Sequence, residues 1–311
     1  MLSPATAWLA PAPGAVDRGG GTAHIRAMNV QTSVEASSGP AAVSGVLQPT
    51  LEPREYHGLN WLGFRTLYKK EVQRFTKIWI QTILGPVVTT LLYMVVFVVA
   101  MSGARPGIEG VSFAIFVAPG LTMMGMLNNA FANTSSSLMQ GKVMGTAFDF
   151  LAPPISALEL TVAFAAGGVT RGIMVGLATA ASVWPFGHFG ITHWWAVLYF
   201  GFGASLMLSL IGIIAGLWAD KFDQMAAVTG FIVMPLTFLS GTFYLVERLP
   251  EPFRTISYAN PFFYLIDGFR YGFIGHANGS LMIGVILTAV INLALGLLCY
   301  RLFRIGWKLK T

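Results

Sequence analysis

The stretch Gly172–Ala219 reads GIMVGLATAASVWPFGHFGITHWWAVLYFGFGASLMLSLIGIIAGLWA, 48 residues without one Asp, Glu, Lys or Arg. A helix rising about 1.5 Å per residue crosses the roughly 30 Å hydrocarbon layer in about 20 residues, so this run holds two crossings. Pro185, Gly187, His188, Gly190 and His193 mark the turn between them. Trp184, Trp194, Trp195 and Trp218 flank the two spans where interfacial aromatic belts are found. The expected spans are about 161–184 and 194–218. His188 and His193 read as interfacial turn residues, because zinc needs more protein ligands than this loop supplies.

The rest of the chain has the same character. Of 311 residues 55% are hydrophobic, 19 are Lys or Arg and 13 are Asp or Glu, and the mean hydropathy is +0.66. Such a composition lies outside the globular range and marks an integral membrane protein. Four more apolar runs are long enough to span: about 79–101 with a kink point at Pro86, 113–134, 225–246 interrupted by Pro235 and Ser240–Gly241, and 281–300. The expected fold is all-α with six transmembrane helices and no substantial sheet.

Eight of the 19 basic residues precede Trp79 and four follow Tyr300. Both clusters flank apolar runs, where anionic lipid headgroups attract them, so they form no nucleic-acid patch. Basic flanks stay in the cytoplasm and an even number of spans keeps both termini there. The loops then alternate: Arg105 outside, Lys142 inside, His188 outside, Lys221 inside, Arg248 outside. Cys299 is the single cysteine; it excludes an intramolecular disulfide and reads as a small buried hydrophobe.

Residues 1–56 are rich in Ala, Gly, Ser, Pro and Thr and are expected to form a disordered cytoplasmic tail. They lack the basic start of a signal peptide, and Pro11 and Pro13 interrupt their weak apolar segment. Met1 and Met28 are alternative starts. Residues 57–311 then form one transmembrane domain. Its first element, Asn60–Ile78, places Phe64, Tyr68, Val72, Phe75 and Trp79 at three- and four-residue spacing, with Arg65, Lys69, Lys70, Arg74 and Lys77 on the other surface. That pattern predicts an amphipathic helix in the headgroup region.

Ser135–Ser156, SSSLMQGKVMGTAFDFLAPPIS, is too polar and too broken by Gly and Pro to span. A short helix between Ser136 and Phe150 is expected to end before Pro153–Pro154. Its apolar residues, among them Leu138, Met139, Val143, Met144 and Phe148, either meet a protein partner or rest on the membrane. Arg171 is the one charge well inside a span, where exposure to lipid would cost roughly 3 kcal/mol. It snorkels, bonds to another group, or contacts an anionic substrate. Asn128, Asn129 and Asn133 bond between helices or line a pathway. Two small helices around Asn260–Pro261 fit Glu247–Arg270, with Asp267 and Arg270 sharing a face.

No serine elbow, HExxH or aspartate dyad occurs, and SLMQGKVMG lacks the first glycine and the Ser/Thr of a phosphate loop. The chain alone is therefore read as no enzyme. If ATP drives it, the motor is another polypeptide.

Three segments resemble the ABC-2 type transporter permeases, the membrane subunits of bacterial exporters of drugs, lipids or polysaccharides. They are FDFLAPPISALEL, GGVTRGIMVG and FLSGTFYLVERLPEPFRTISYANPFFYLIDGFR, the last with Pro250, Asn260, Pro261, Asp267 and Arg270 in register. The resemblance covers about Asn60–Trp307. It implies two permease subunits, homo- or heterodimeric, on two separate ABC ATPase subunits that bind ATP and Mg²⁺, with no cofactor on this chain. It also implies a connecting helix carrying Phe64, Arg65, Tyr68, Lys69 and Arg74, and a coupling helix carrying Met139, Lys142, Val143, Met144 and Phe148. Helices over Pro250–Phe269 would close the outer end, and the location would be the bacterial inner membrane. A secondary transporter, or a membrane assembly or resistance protein without an ATPase, is the alternative.

Overall fold

The computed structural model describes residues 58–102, 111–187 and 190–308. The tail over 1–56, the alternative start at Met28, and the loop positions Arg105 and His188 lie outside the described residues. The described chain is helical: α1 (Trp61–Thr76), α2 (Gly85–Ser102), α3 (Phe113–Val143), α4 (Phe148–Leu151), α5 (Ala157–Val183), α6 (Trp194–Trp218), α7 (Phe222–Val228), α8 (Met234–Phe238), α9 (Phe253–Ala259), α10 (Pro261–Ile274) and α11 (Leu281–Ile305). Polar side chains start the helices where free N–H groups need acceptors. Asn60, Ser112 and Ser280 cap α1, α3 and α11, and Ser156 with Glu159 forms a capping box on α5.

α3 lies at the centre, packed between α5 and α6. α2 packs on α3 and α5, α10 on α6 and α3, and α11 on α6, α5 and α10. The central backbones approach closely. A Cβ on Gly168 would stand 2.0 Å from Ser209 Oγ, and one on Gly212 would stand 2.2 Å from Thr134 Oγ1 and 2.6 Å from the Phe131 carbonyl oxygen. Small residues permit this contact, and Thr134 uses it to donate to the Ser209 carbonyl at 2.8 Å. Apolar side chains on α2 and α11, such as Val88, Leu92, Ile286 and Leu293, remain exposed.

Among the described residues five helices are long and apolar enough to cross a bilayer: Ile80–Val98, Phe113–Val143, Ala157–Phe186, Trp194–Trp218 and Leu281–Ile305. Six were expected. The segment expected to span 225–246 is instead the shorter apolar run Phe222–Phe238, about 25 Å long. It stops because Gly241 takes φ +72°, a turn conformation open to glycine. The carbonyls freed there find distant donors. Asn260 Nδ2 donates to Leu236 O at 2.7 Å, and Arg270 Nη2 donates to Gly241 O at 2.7 Å.

The short helix expected between Ser136 and Phe150 is helical over most of that stretch but is not separate from the preceding span. α3 runs on through Ser135–Ser137 to Val143, turns at Gly145, and α4 adds one short helix. The serines stay helical because α1 satisfies two of their hydroxyls: Arg74 donates to Ser136 Oγ at 3.0 Å and Ser137 Oγ donates to Glu71 at 2.6 Å. Two expected breaks have a common form. π turns at Ile80–Leu84 and Thr229–Val233 stand directly before Pro86 and Pro235. A wider turn accommodates the missing N–H and the ring of a proline.

Gly212→Ala is expected to destabilise the bundle by about 1–3 kcal/mol through overpacking. Gly296→Ala on α11, whose Cβ meets open space, should leave the melting temperature unchanged or slightly raised. Thermal unfolding of the two purified variants in detergent checks the contrast.

Candidate functional site

One end of the bundle collects α1, the C-termini of α3, α6 and α11, and the N-terminus of α5. A single carboxylate ties two helix starts together there. Glu159 Oε2 accepts from the Ser156 N–H and Oγ at 2.7 and 2.8 Å, and Oε1 accepts from the Asn60 N–H. Asn60 Nδ2 donates to the Pro154 carbonyl at 3.1 Å. α1 then climbs lengthwise along α5. A Cβ on Gly167 would lie 2.8 Å from Glu71 Cβ, and Tyr68 and Thr170 share a hydroxyl hydrogen bond of 2.9 Å.

A clasp closes the same end. Lys142 Nζ donates to the carbonyls of Leu217, in the last turn of α6, and of its C-cap Ala219 at 2.9 and 2.6 Å and to Asp220 at 3.0 Å. Lys308 Nζ donates to Trp218 O at 2.9 Å and Asp220 at 2.8 Å. Both cations sit at a helix C-terminus, where the helix dipole favours them. The hydrogen bonds from Lys308, then Lys142, hold the Asp220 carboxyl below its ordinary pKa.

The expected coupling residues therefore divide. Met139 is in the core and Lys142 is engaged in the clasp. Val143 and Met144 are 50% and 68% exposed at the tip of α3. Phe148 begins α4, next to Asp149, which lies 3.8 Å from Lys70 of α1. Between α1 and this turn lies a groove of about 270 Å³ whose walls include Leu62, Lys70, Phe150 and Pro153. Of the connecting-helix residues, Arg65 and Lys69 are exposed and Phe64 and Tyr68 are half-buried.

Arg74 departs from its expected place on the outer basic face. It turns inward to Asn133 O at 2.6 Å, Asn133 Oδ1 at 3.1 Å, Ser136 and Glu71. Glu71, only 2% exposed, is the cause and was missed in the sequence. An acid three residues before Arg74 in an otherwise basic helix is the available signal. One turn further along α3, Asn129 Oδ1 accepts from Arg171 Nη2 at 3.0 Å. Arg171 thus bonds to another helix instead of facing lipid alone.

Asn128 and Asn129 also line an open crevice of about 310 Å³ between α2, α3 and the turn entering α8. Thr90 and Tyr93 of α2, Leu121 and Met124 of α3, and Thr229 and Met234 complete much of its wall. The Nδ2 groups of both asparagines donate to α3 carbonyls at 3.0 Å. Asn128 Oδ1 is buried without a donor. The wall is apolar with a few polar groups, as in sites that hold amphiphilic small molecules.

At the other end of the bundle the expected short helices α9 and α10 flank Asn260–Pro261. Asn260 caps α10 through the Phe262 N–H at 3.0 Å, while its Nδ2 holds Leu236 and Ser240. Arg270 donates to Phe116 O at 3.2 Å and stacks 3.9 Å over the Phe116 ring. Asp267 accepts from the N–H groups of Asn278 and Gly279 at 3.1 and 2.8 Å. Asp267 and Arg270 share a face but serve different backbones. Pro250 lies exposed in the preceding loop.

The sequence profile of the family described as ABC-2 type transporter matches residues 63–274. The inner membrane transport permease YadH of Escherichia coli (strain K12) is 34% identical over 254 residues, 81% of this chain and 99% of that protein. Nodulation protein J of Rhizobium leguminosarum bv. viciae is 26% identical over 248 residues, 75% of this chain and 90% of that protein.

Glu71→Ala should cost on the order of 3 kcal/mol, the low end for a broken buried pair because Arg74 keeps Asn133; chemical unfolding in detergent measures it. Asp220 carries a pH signature. Its folded pKa is lowered, so the stability it adds is present above the ordinary value of 3.8 and is lost as pH falls through the lower folded value. Asp220→Asn should therefore melt earlier than wild type at neutral pH, with the gap closing as pH falls below about 3.8.

Proposed function

The chain belongs to the ABC-2 type transporter family, and from that premise we propose that it is the transmembrane permease subunit of an ATP-driven exporter. It binds no cofactor itself. Two copies of a separate ABC ATPase subunit bind ATP and Mg²⁺, and a second permease subunit, identical or not, completes the pathway. The relative described as an inner membrane transport permease supports the same membrane here.

Phe222–Phe238 makes the sixth, shorter crossing, since an even count keeps the basic α1 and the basic end of α11 together in the cytoplasm. α9 and α10, braced by Asn260, Asp267 and Arg270, lie at the outer end. The crevice at Asn128 and Asn129 belongs to the pathway, with Arg171 behind its wall. The cargo is a hydrophobic drug, a lipid or a lipid-linked glycan, moved outward.

The observation that carries this reading is one line of contact. Exposed Val143 and Met144 stand at the tip of α3, and higher on the same helix Asn133 meets Arg74 and Asn129 faces the crevice. A partner that pushes on this tip and on α1 acts on a rigid element leading to the pathway. Co-purification of the tagged chain in mild detergent tests it. A stoichiometric ATPase should accompany wild type, and Val143→Asp with Met144→Asp should reduce its recovery at least tenfold without lowering the permease melting temperature. A stable, transport-active preparation without an ATPase would instead identify a secondary transporter.

A further inference from the structure

Arg171 and Arg74 reach successive turns of α3, at Asn129 and Asn133, and together offer more donors than the acceptors they meet. Arg171 makes one hydrogen bond among the described residues, to Asn129 Oδ1, and no described carboxylate lies within 4 Å of it. Its Nε is buried without an acceptor. Arg74 Nε and Asn133 Nδ2 are buried without acceptors too. Among the described residues Glu71 is the one carboxylate bonded to this cluster, and it is already shared between Arg74 and Ser137. Two guanidiniums thus face one carboxylate.

The partners of the two arginines, Asn129 and Asn133, are one turn apart on α3, about 6 Å along the axis. That spacing lets one tetrahedral anion draw donors from both. Guanidinium groups match oxyanions geometrically and bind them through charge-assisted hydrogen bonds. Arg171 is half-buried with its Nε enclosed and no acidic partner among the described residues, so an anion placed here removes a desolvation penalty that the chain does not itself cancel.

We propose that Arg171, Arg74 and Asn133 bind the phosphate group of a membrane amphiphile. Depth favours an amphiphile. Arg171 lies midway along Ala157–Phe186, 14 residues from one end and 15 from the other, at a depth where a ligand with an apolar tail is favoured over a free anion. Exposed Arg65, Lys69 and Lys77 on α1 concentrate anionic lipid in the headgroup region. The site stands on these side chains alone and holds whether or not an ATPase couples to the chain.

The test uses the full chain in maltoside micelles without any ATPase partner. Native mass spectrometry compares retained phosphatidylglycerol with diacylglycerol of the same acyl chains. Wild type should retain the phospholipid at least tenfold better, and Arg171→Gln should remove most of that preference. Asn129→Asp keeps Arg171 and supplies an internal carboxylate. It should also abolish the preference without lowering the melting temperature, and it carries the test if Arg171→Gln does not fold. Displacement by millimolar inorganic phosphate would show that the site accepts the free oxyanion, and resistance to displacement that it requires the lipid; either supports a phosphate site. Equal retention of the two lipids by wild type, or an undiminished preference in Asn129→Asp, would overturn it.

Discussion

Backbone contact between α3, α5 and α6 is the constraint on which the rest depends. At Gly168 and Gly212 there is no room for a methyl group, so the three helices lock with little freedom to slide. In a lipid environment the hydrophobic effect does not drive helices together, and such close packing supplies the attraction that remains. A fixed α3 then serves as the reference for everything else. α1 bonds to its lower half through Asn133, Ser136 and Ser137, Arg171 bonds to its middle, and Arg270 reaches its upper end at Phe116.

The charged and amide side chains inside this bundle serve mainly as partners for backbone that the helices leave open. Asn260 and Arg270 answer the carbonyls exposed where the run after Phe222 stops. Lys142 and Lys308 answer those at the end of α6. Without water in the hydrocarbon, a carbonyl left open inside the bilayer would cost several kcal/mol. Asp267 and Arg270 serve backbone groups in the same way. The cluster at Arg74 and Arg171 differs, because there donors outnumber acceptors.

The apolar runs were legible because lipid imposes length and composition directly: four of the six expected spans appear as helices at nearly the expected positions, and a fifth, 113–134, appears extended to Val143. The pair of short helices around Asn260–Pro261 was legible from local turn chemistry. The fate of Ser135–Val143 was not. Its polarity suggested a break from the preceding span and a separate short helix, but Glu71 and Arg74, more than fifty residues away, satisfy its hydroxyls and keep it continuous with α3. Lys142 was read as a partner-facing residue for the same reason: its acceptors belong to α6 and become visible only when α6 is in place.

By itself, then, the sequence determined that this is an all-helical membrane protein, roughly where its apolar helices lie, and which family it resembles, since each of those rests on local composition or motif. Only the tertiary structure decided that α3 continues past the bilayer-length run, and that Arg74 turns inward while Val143 and Met144 stay exposed. Those outcomes depend on which distant group completes a hydrogen bond, and no local window of sequence contains both partners.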